Sequence, residues 1–82
     1  MNLVNLVETI VKSLVINKDS VSVKEFSTDE DDTMLIQVMV AEEDIGRVIG
    51  REGRTANAIR TLAQASSSLG DNKYIKIDID KF

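Results

Sequence analysis

Hydrophobic positions in the first fifteen residues recur at helical spacing. Leu3, Leu6, Val7, Ile10, Val11, Leu14 and Val15 fall three and four apart, with Asn5, Glu8, Thr9, Lys12 and Ser13 between them. This predicts an amphipathic helix with one buried stripe. Asn2 is placed to cap its start, and Asn17, Lys18 and Asp19 favour the turn that ends it. Val21 and Val23 then alternate with polar residues as in a strand. Phe26 is out of phase with them, which predicts a bulge or a strand end. The acidic run from Ser27 to Asp32 is expected to be a solvated loop. From Thr33 to Val40 both alternating sets are largely apolar, which predicts a strand at the centre of a sheet or one lining a groove.

Glu42, Glu43 and Asp44 sit where the first turn of a helix favours negative charge. Ile45, Val48 and Ile49 follow at i, i+3 and i+4, a short helix that Gly50 stops. The pattern restarts after Gly53, with Ala56, Ile59, Leu62 and Ala63 expected to face inward on a helix running to about Ser67. Asn57, Arg60, Thr61 and Gln64 lie on its other faces. Gly70-Asp71-Asn72 is expected to turn, and Tyr74–Ile79 alternates as a strand with Ile75, Ile77 and Ile79 inward and Lys76 and Asp78 outward. The order is α-β-β-α-α-β. Three amphipathic helices covering one face of a three-stranded sheet make a two-layer α+β fold.

Eighty-two residues are enough for one domain, taken as 1–82, and not for two cores. A domain this small gains from a partner or from self-association. Cysteine is absent, so no disulfide framework and no thiolate metal site is available. Histidine is absent as well. Without His or Cys, catalysis would rest on carboxylates, Lys, Tyr74 or Ser/Thr. Thr55 and Ser66 to Ser68 have no base beside them in sequence, so the expectation is no enzyme, no metal and no cofactor. No apolar run approaches the roughly 20 residues that cross a bilayer. The start of the chain lacks the basic flank and cleavage site of a signal peptide. A cytoplasmic location is expected.

Charge changes the picture at one place. All four arginines (Arg47, Arg51, Arg54 and Arg60) fall between Ile45 and Arg60, with Glu52 as the only acid there. That stretch carries +3, and because the whole chain is −4 the remaining residues carry −7. The arginines surround a G-x-x-G turn, Gly50-Arg51-Glu52-Gly53, between two helices. Such a junction can aim the unpaired N–H groups and the partial positive charge of a helix N-terminus at one point, which suits phosphate. Glycines permit the sharp turn and close approach of a second backbone, while Arg51 and Arg54 supply charge and hydrogen-bond forks. Arg47 and Arg60 lengthen the positive strip, and one edge of Ile45, Val48 and Ile49 could line a groove for bases. The missing G-K-[S/T] ending excludes a Walker A loop. Wrong spacing and the lack of a βαβ unit exclude a dinucleotide fingerprint.

The stretch Val48-Ile49-Gly50-Arg51-Glu52-Gly53-Arg54, with Thr55-Ala56-Asn57-Ala58-Ile59-Arg60 after it, closely resembles the I-G-x-x-G-x-x-x-x-x-I signature of KH domains. In those domains the loop clamps about four nucleotides of a single strand by the backbone. The element order resembles the type II, prokaryotic, arrangement. One such domain in about 80 residues is similar to the small bacterial single-KH-domain proteins, the KhpA family. The resemblance implies binding of single-stranded RNA through Arg47, Ile49, Gly50, Arg51, Glu52, Gly53, Arg54 and Arg60. It also implies an RNA chaperone that forms a homodimer or a heterodimer with a larger KH-domain RNA-binding protein. The family is linked to cell elongation, division and peptidoglycan homeostasis.

Glu52 departs from the simplest loop, where a basic or neutral residue would serve phosphate better. The net charge of −4 and the acids at 29 to 32 weaken long-range attraction to RNA. Phe26, Tyr74 and Phe82 are the only aromatics, so modest affinity and little sequence choice are expected. Met34, Leu35 and Met39 are expected in the core or a dimer surface, and Tyr74 in packing. The acids at 42 to 44 are assigned to the helix dipole and not to a metal. Ala58, Thr61, Ala65 and Ser68 form a small-residue helix face suited to a second chain. The competing reading is an adaptor whose KH scaffold mainly docks a protein partner.

Overall fold

The computed structural model describes residues 2–70 and 72–82. Its elements run α1 (Leu3–Leu14), β1 (Val21–Ser27), β2 (Thr33–Val40), α2 (Ile45–Ile49), α3 (Arg54–Leu69) and β3 (Tyr74–Lys81). Short 3₁₀ turns precede β1, α2 and α3. The expected α+β order is the one observed. Asn2 caps α1 through its side-chain oxygen, which accepts from the N–H groups of Val4 (2.9 Å) and Asn5 (3.3 Å). The turn expected at 70–72 includes Asp71, which lies outside the described residues.

The sheet order is β1-β2-β3, with β1 antiparallel and β3 parallel to the central β2. Central placement accounts for the apolar residues on both faces of β2. Ile36, Val38 and Val40 are fully buried beneath the helices. The core joins these to Val7 and Val11 of α1, Val48 of α2, Ile59 and Ala63 of α3, and Ile77 of β3. The helices thus cover one face of the sheet. The other face carries Leu35 and Met39, both half-buried, and Phe26, which is exposed.

One sequence expectation is narrowed here and another changes. Of the bulge or strand end expected at Phe26, the strand end is observed: β1 stops at Ser27, the β1–β2 register runs unbroken from Val21↔Val40 to Ser27↔Met34, and Phe26 stands opposite Leu35. Phe26 looks out of phase because it lies on the uncovered face, where an apolar side chain is tolerated. Leu62 does not face inward. The buried stripe of α3 is Ala56, Ile59, Ala63 and Ser67, and Leu62 is 52% exposed. Alanine and serine at the contact let α3 approach closely, and Ser67 satisfies its buried hydroxyl by accepting from the Lys73 N–H and donating to the Lys73 carbonyl.

Candidate nucleic-acid interface

The turn between α2 and α3 takes its shape from unusual backbone angles. Gly50 has φ +76°, Glu52 +56° and Gly53 +75°, leaving Arg51 as the only one of the four outside the left-handed half of φ space. Gly50 is required twice over. A Cβ there would lie 2.7 Å from the Thr55 Cβ and 2.9 Å from its backbone nitrogen, besides needing a positive φ. Gly53 has open space where a Cβ would stand, so only its φ favours glycine. The loop is therefore packed on its inner side at Gly50 and open on its outer side at Gly53.

That open side faces the start of α3. No side chain caps this N-terminus and no acid occupies its first turn. The Gly53 and Arg54 N–H groups turn back onto the Gly50 and Arg51 carbonyls, so at this end of a sixteen-residue helix it is chiefly the macrodipole that favours an anion. Arg51 and Arg54 flank it, both exposed. Arg54 reaches Glu52 at 3.4 Å, an exposed pair open to competition by another anion. Arg60 is exposed two turns along α3 and donates to the Asn57 side chain at 3.2 Å. Arg47 is exposed on α2, Val48 is buried, and Ile45 and Ile49 are half-buried beside the loop. The structure thus sets Ile49, Gly50, Arg51, Glu52, Gly53 and Arg54 side by side, with Arg47 and Arg60 at either flank.

From Arg60 a cleft continues between α3 and the outer edge of β3. Its first part, about 470 Å³, is lined by Arg60, Thr61, Gln64, Ala65, Ser68 and Ile75. It continues into a space of about 570 Å³ bordered by Asp32, Gln64, Ser68, Lys73 and Tyr74. Tyr74 was expected to pack, but it is 69% exposed at this far end. Gln64, read from the sequence as one more polar surface residue, lines both parts. Periodicity could not single it out, because its role comes from β3, which follows it in the chain.

Asp44 also has a role that the dipole argument missed. It is fully buried, and its carboxylate accepts from the N–H of Ile16 (3.1 Å), the N–H of Asn17 (3.0 Å) and the Asn17 side-chain amide (3.0 Å). It ties the segment after α1 to the residue before α2. Burial by itself raises the Asp44 pKa. The hydrogen bonds from Asn17 and Ile16 and the nearby Arg47 charge outweigh burial, so the net shift is downward. Among the described residues, no group of His, Cys, Asp and Glu side chains could hold a metal ion. No helix there is long and apolar enough to cross a membrane.

The chain's likeness to known proteins is consistent across sequence and fold. Residues 4–79 match the family model described as KhpA/KhpB, KH domain. A protein named RNA-binding protein KhpA from Caldanaerobacter subterraneus subsp. tengcongensis is 45% identical over 74 residues, covering 90% of this chain and 95% of its own. Its namesake from Clostridium acetobutylicum is 42% identical with the same coverage, and that of Borreliella burgdorferi is 36% identical over 78 residues, covering 95% of this chain and 92% of its own. Among solved structures, an Aquifex aeolicus Era variant bound to GDP and aluminium fluoride superposes with TM-score 0.73 at 18% identity, covering 98% of this chain and 30% of that one. Era in complex with MgGDPNP and a segment of 16S ribosomal RNA superposes with TM-score 0.67 at 17% identity, covering 96% and 29%. These two share the fold. The chain belongs to the KhpA/KhpB family of KH domains, a non-enzymatic family.

Proposed function

We propose that this chain is a cytoplasmic RNA-binding protein that grips the backbone of a single RNA strand at the Gly50–Gly53 loop. Its relatives' names support RNA as the ligand. The observation that carries the reading is the uncapped, acid-free N-terminus of α3, set beside Arg51 and Arg54 by a loop open at Gly53. A phosphate there would meet a helix dipole and two guanidinium groups. Arg60 and the cleft along β3 continue the path. Every chemical element of the clamp acts on the backbone, so binding discriminates weakly among sequences, as suits an RNA chaperone.

Replacing Arg51 and Glu52 together by Asp tests this. Both side chains are exposed, so the fold persists while two carboxylates face the phosphate site. Loss of single-stranded RNA binding with unchanged thermal unfolding supports the clamp. Retained binding refutes it.

A second reading concerns protein partners, and one observation favours it. Ala58, Leu62, Ala65 and Leu69 form a stripe on the exposed side of α3, with Leu62 52% and Leu69 92% exposed. Their i, i+4, i+7, i+11 spacing suits packing against another helix. The stripe adjoins the small-residue face of Ala58, Thr61, Ala65 and Ser68 but carries far more apolar area. We assign to it a homodimer, or a heterodimer with a larger KH-domain protein, through which two RNA grips would act together. Any role in cell elongation, division or peptidoglycan homeostasis would pass through such a complex.

A further inference from the structure

Gln64 makes an unusual pair of contacts. Its side-chain nitrogen donates to the Lys73 carbonyl at 2.9 Å, and its side-chain oxygen accepts from the Ile75 N–H at 2.9 Å. Ile75 belongs to β3, whose other edge pairs with β2, and Lys73 immediately precedes the strand. One carboxamide therefore does what one residue of a neighbouring parallel strand would do: it gives a donor and takes a donor at alternate positions. Gln64 is only half-buried, and it lines both parts of the cleft that leads from Arg60. Gly53 and Gln64 are separated by roughly 16 Å along α3. A strand held at the loop and laid along the cleft arrives at this carboxamide.

Every nucleobase carries an adjacent donor and acceptor on its Watson–Crick edge, the same pair that a carboxamide presents. We propose that Gln64 occupies a nucleobase subsite on the edge of β3 and so limits the length of RNA that the chain holds. This rests on the reading that the strand runs from the Gly50–Gly53 loop along the α3–β3 cleft. With Gln64 in place, the Lys73 carbonyl and the Ile75 N–H are satisfied, and a base gains little by displacing an equivalent partner. Without it, the Ile75 N–H is freed, and the Lys73 carbonyl, still bonded to the Ser67 hydroxyl at 2.9 Å, has its second lone pair open, so one more base can take both positions. The subsite accepts any base, because the backbone pair makes no distinction among them.

The test compares the full chain with its Gln64→Ala variant against oligouridines of graded length, by fluorescence anisotropy. The wild type reaches a plateau of affinity at some length. Gln64→Ala is expected to reach its plateau one nucleotide later and to bind that longer probe roughly three- to tenfold tighter. The gain should vanish when the added nucleotide is abasic. Gln64→Ser repeats the measurement should the alanine variant unfold, with the same advance expected. An unchanged plateau in a folded variant overturns the proposal, as does a gain that survives the abasic probe. So does a variant that merely self-associates through the uncovered strand edge, since that would assign Gln64 to edge protection. If the wild type binds no oligouridine, or the charge-reversed loop variant binds as well as wild type, the strand path itself is wrong and the proposal falls with it.

Discussion

Gly50 and Thr55 are packed so closely that a side chain on the first has nowhere to go. A Cβ on Gly50 would sit 2.7 Å from the Thr55 Cβ, and Thr55 lies in the first turn of α3. This contact brings the loop down onto the helix that it opens. The two glycines of the motif therefore differ in what they require. Gly50→Ala combines a strained φ with a backbone clash and should cost about 2–5 kcal/mol. Gly53→Ala meets only the φ penalty and should cost about 1–2 kcal/mol. Chemical denaturation of both variants measures the difference. Equal losses would mean that the close approach at Gly50 relaxes easily.

Glu52 is strained and electrostatically misplaced at once. It holds φ +56°, a region that asparagine tolerates better than glutamate. Its ion pair with Arg54 is largely exposed, with side chains 71% and 78% accessible, and contributes little. Glu52→Asn should therefore stabilise the chain by roughly 0.5–1 kcal/mol. It should also tighten single-stranded RNA binding, because a negative charge leaves the phosphate site and Arg54 is released. Thermal melts and a binding isotherm check the two effects separately.

Asp44 makes stability depend on pH in a known direction. Its folded-state pKa is lowered from the ordinary 3.8, so its contribution is fully present above that value. It is lost as pH falls through the lowered folded value. Asp44→Asn cannot accept from all three Ile16 and Asn17 donors and should melt earlier at pH 7. The gap to wild type should narrow below pH 3.8, where the wild-type carboxylate takes up its proton. A gap that stays constant through that range would show that charge at Asp44 is irrelevant.

Leu62 and Leu69 project from α3 with little to lose in the monomer. Leu62→Glu with Leu69→Glu should leave unfolding within about 0.5 kcal/mol of wild type. If the exposed stripe joins two copies, the pair of changes should shift the molecular mass by light scattering from dimer to monomer. Unchanged association would place the interface elsewhere.

Much of this was legible in the chain, and the exceptions share a cause. Periodicity located α1 because its stripe is regular, and β2 showed itself central because both of its faces are apolar. The α2–loop–α3 junction was visible because Gly50, Gly53 and four arginines are crowded into sixteen residues. Leu62 was misplaced because α3 has more apolar positions than one buried stripe can hold, and the sheet selects the smaller ones. Phe26 left a bulge and a strand end both open because alternation does not reveal which sheet face is covered, and β1 ends one residue later at Ser27. The roles of Asp44 and Gln64 depend on backbone groups 27 and 28 residues back in one case, and 9 and 11 residues on in the other. No local pattern encodes such pairings.

The most direct measurement of the central claim is a salt titration of single-stranded RNA binding by the unmodified chain. If Arg51, Arg54 and Arg60 engage phosphates, log K should fall with log[salt] at a slope of about −2. Arg51→Ala should reduce its magnitude by about 0.7. A flat response, or a slope unchanged by Arg51→Ala, would contradict a phosphate clamp at the Gly50–Gly53 loop.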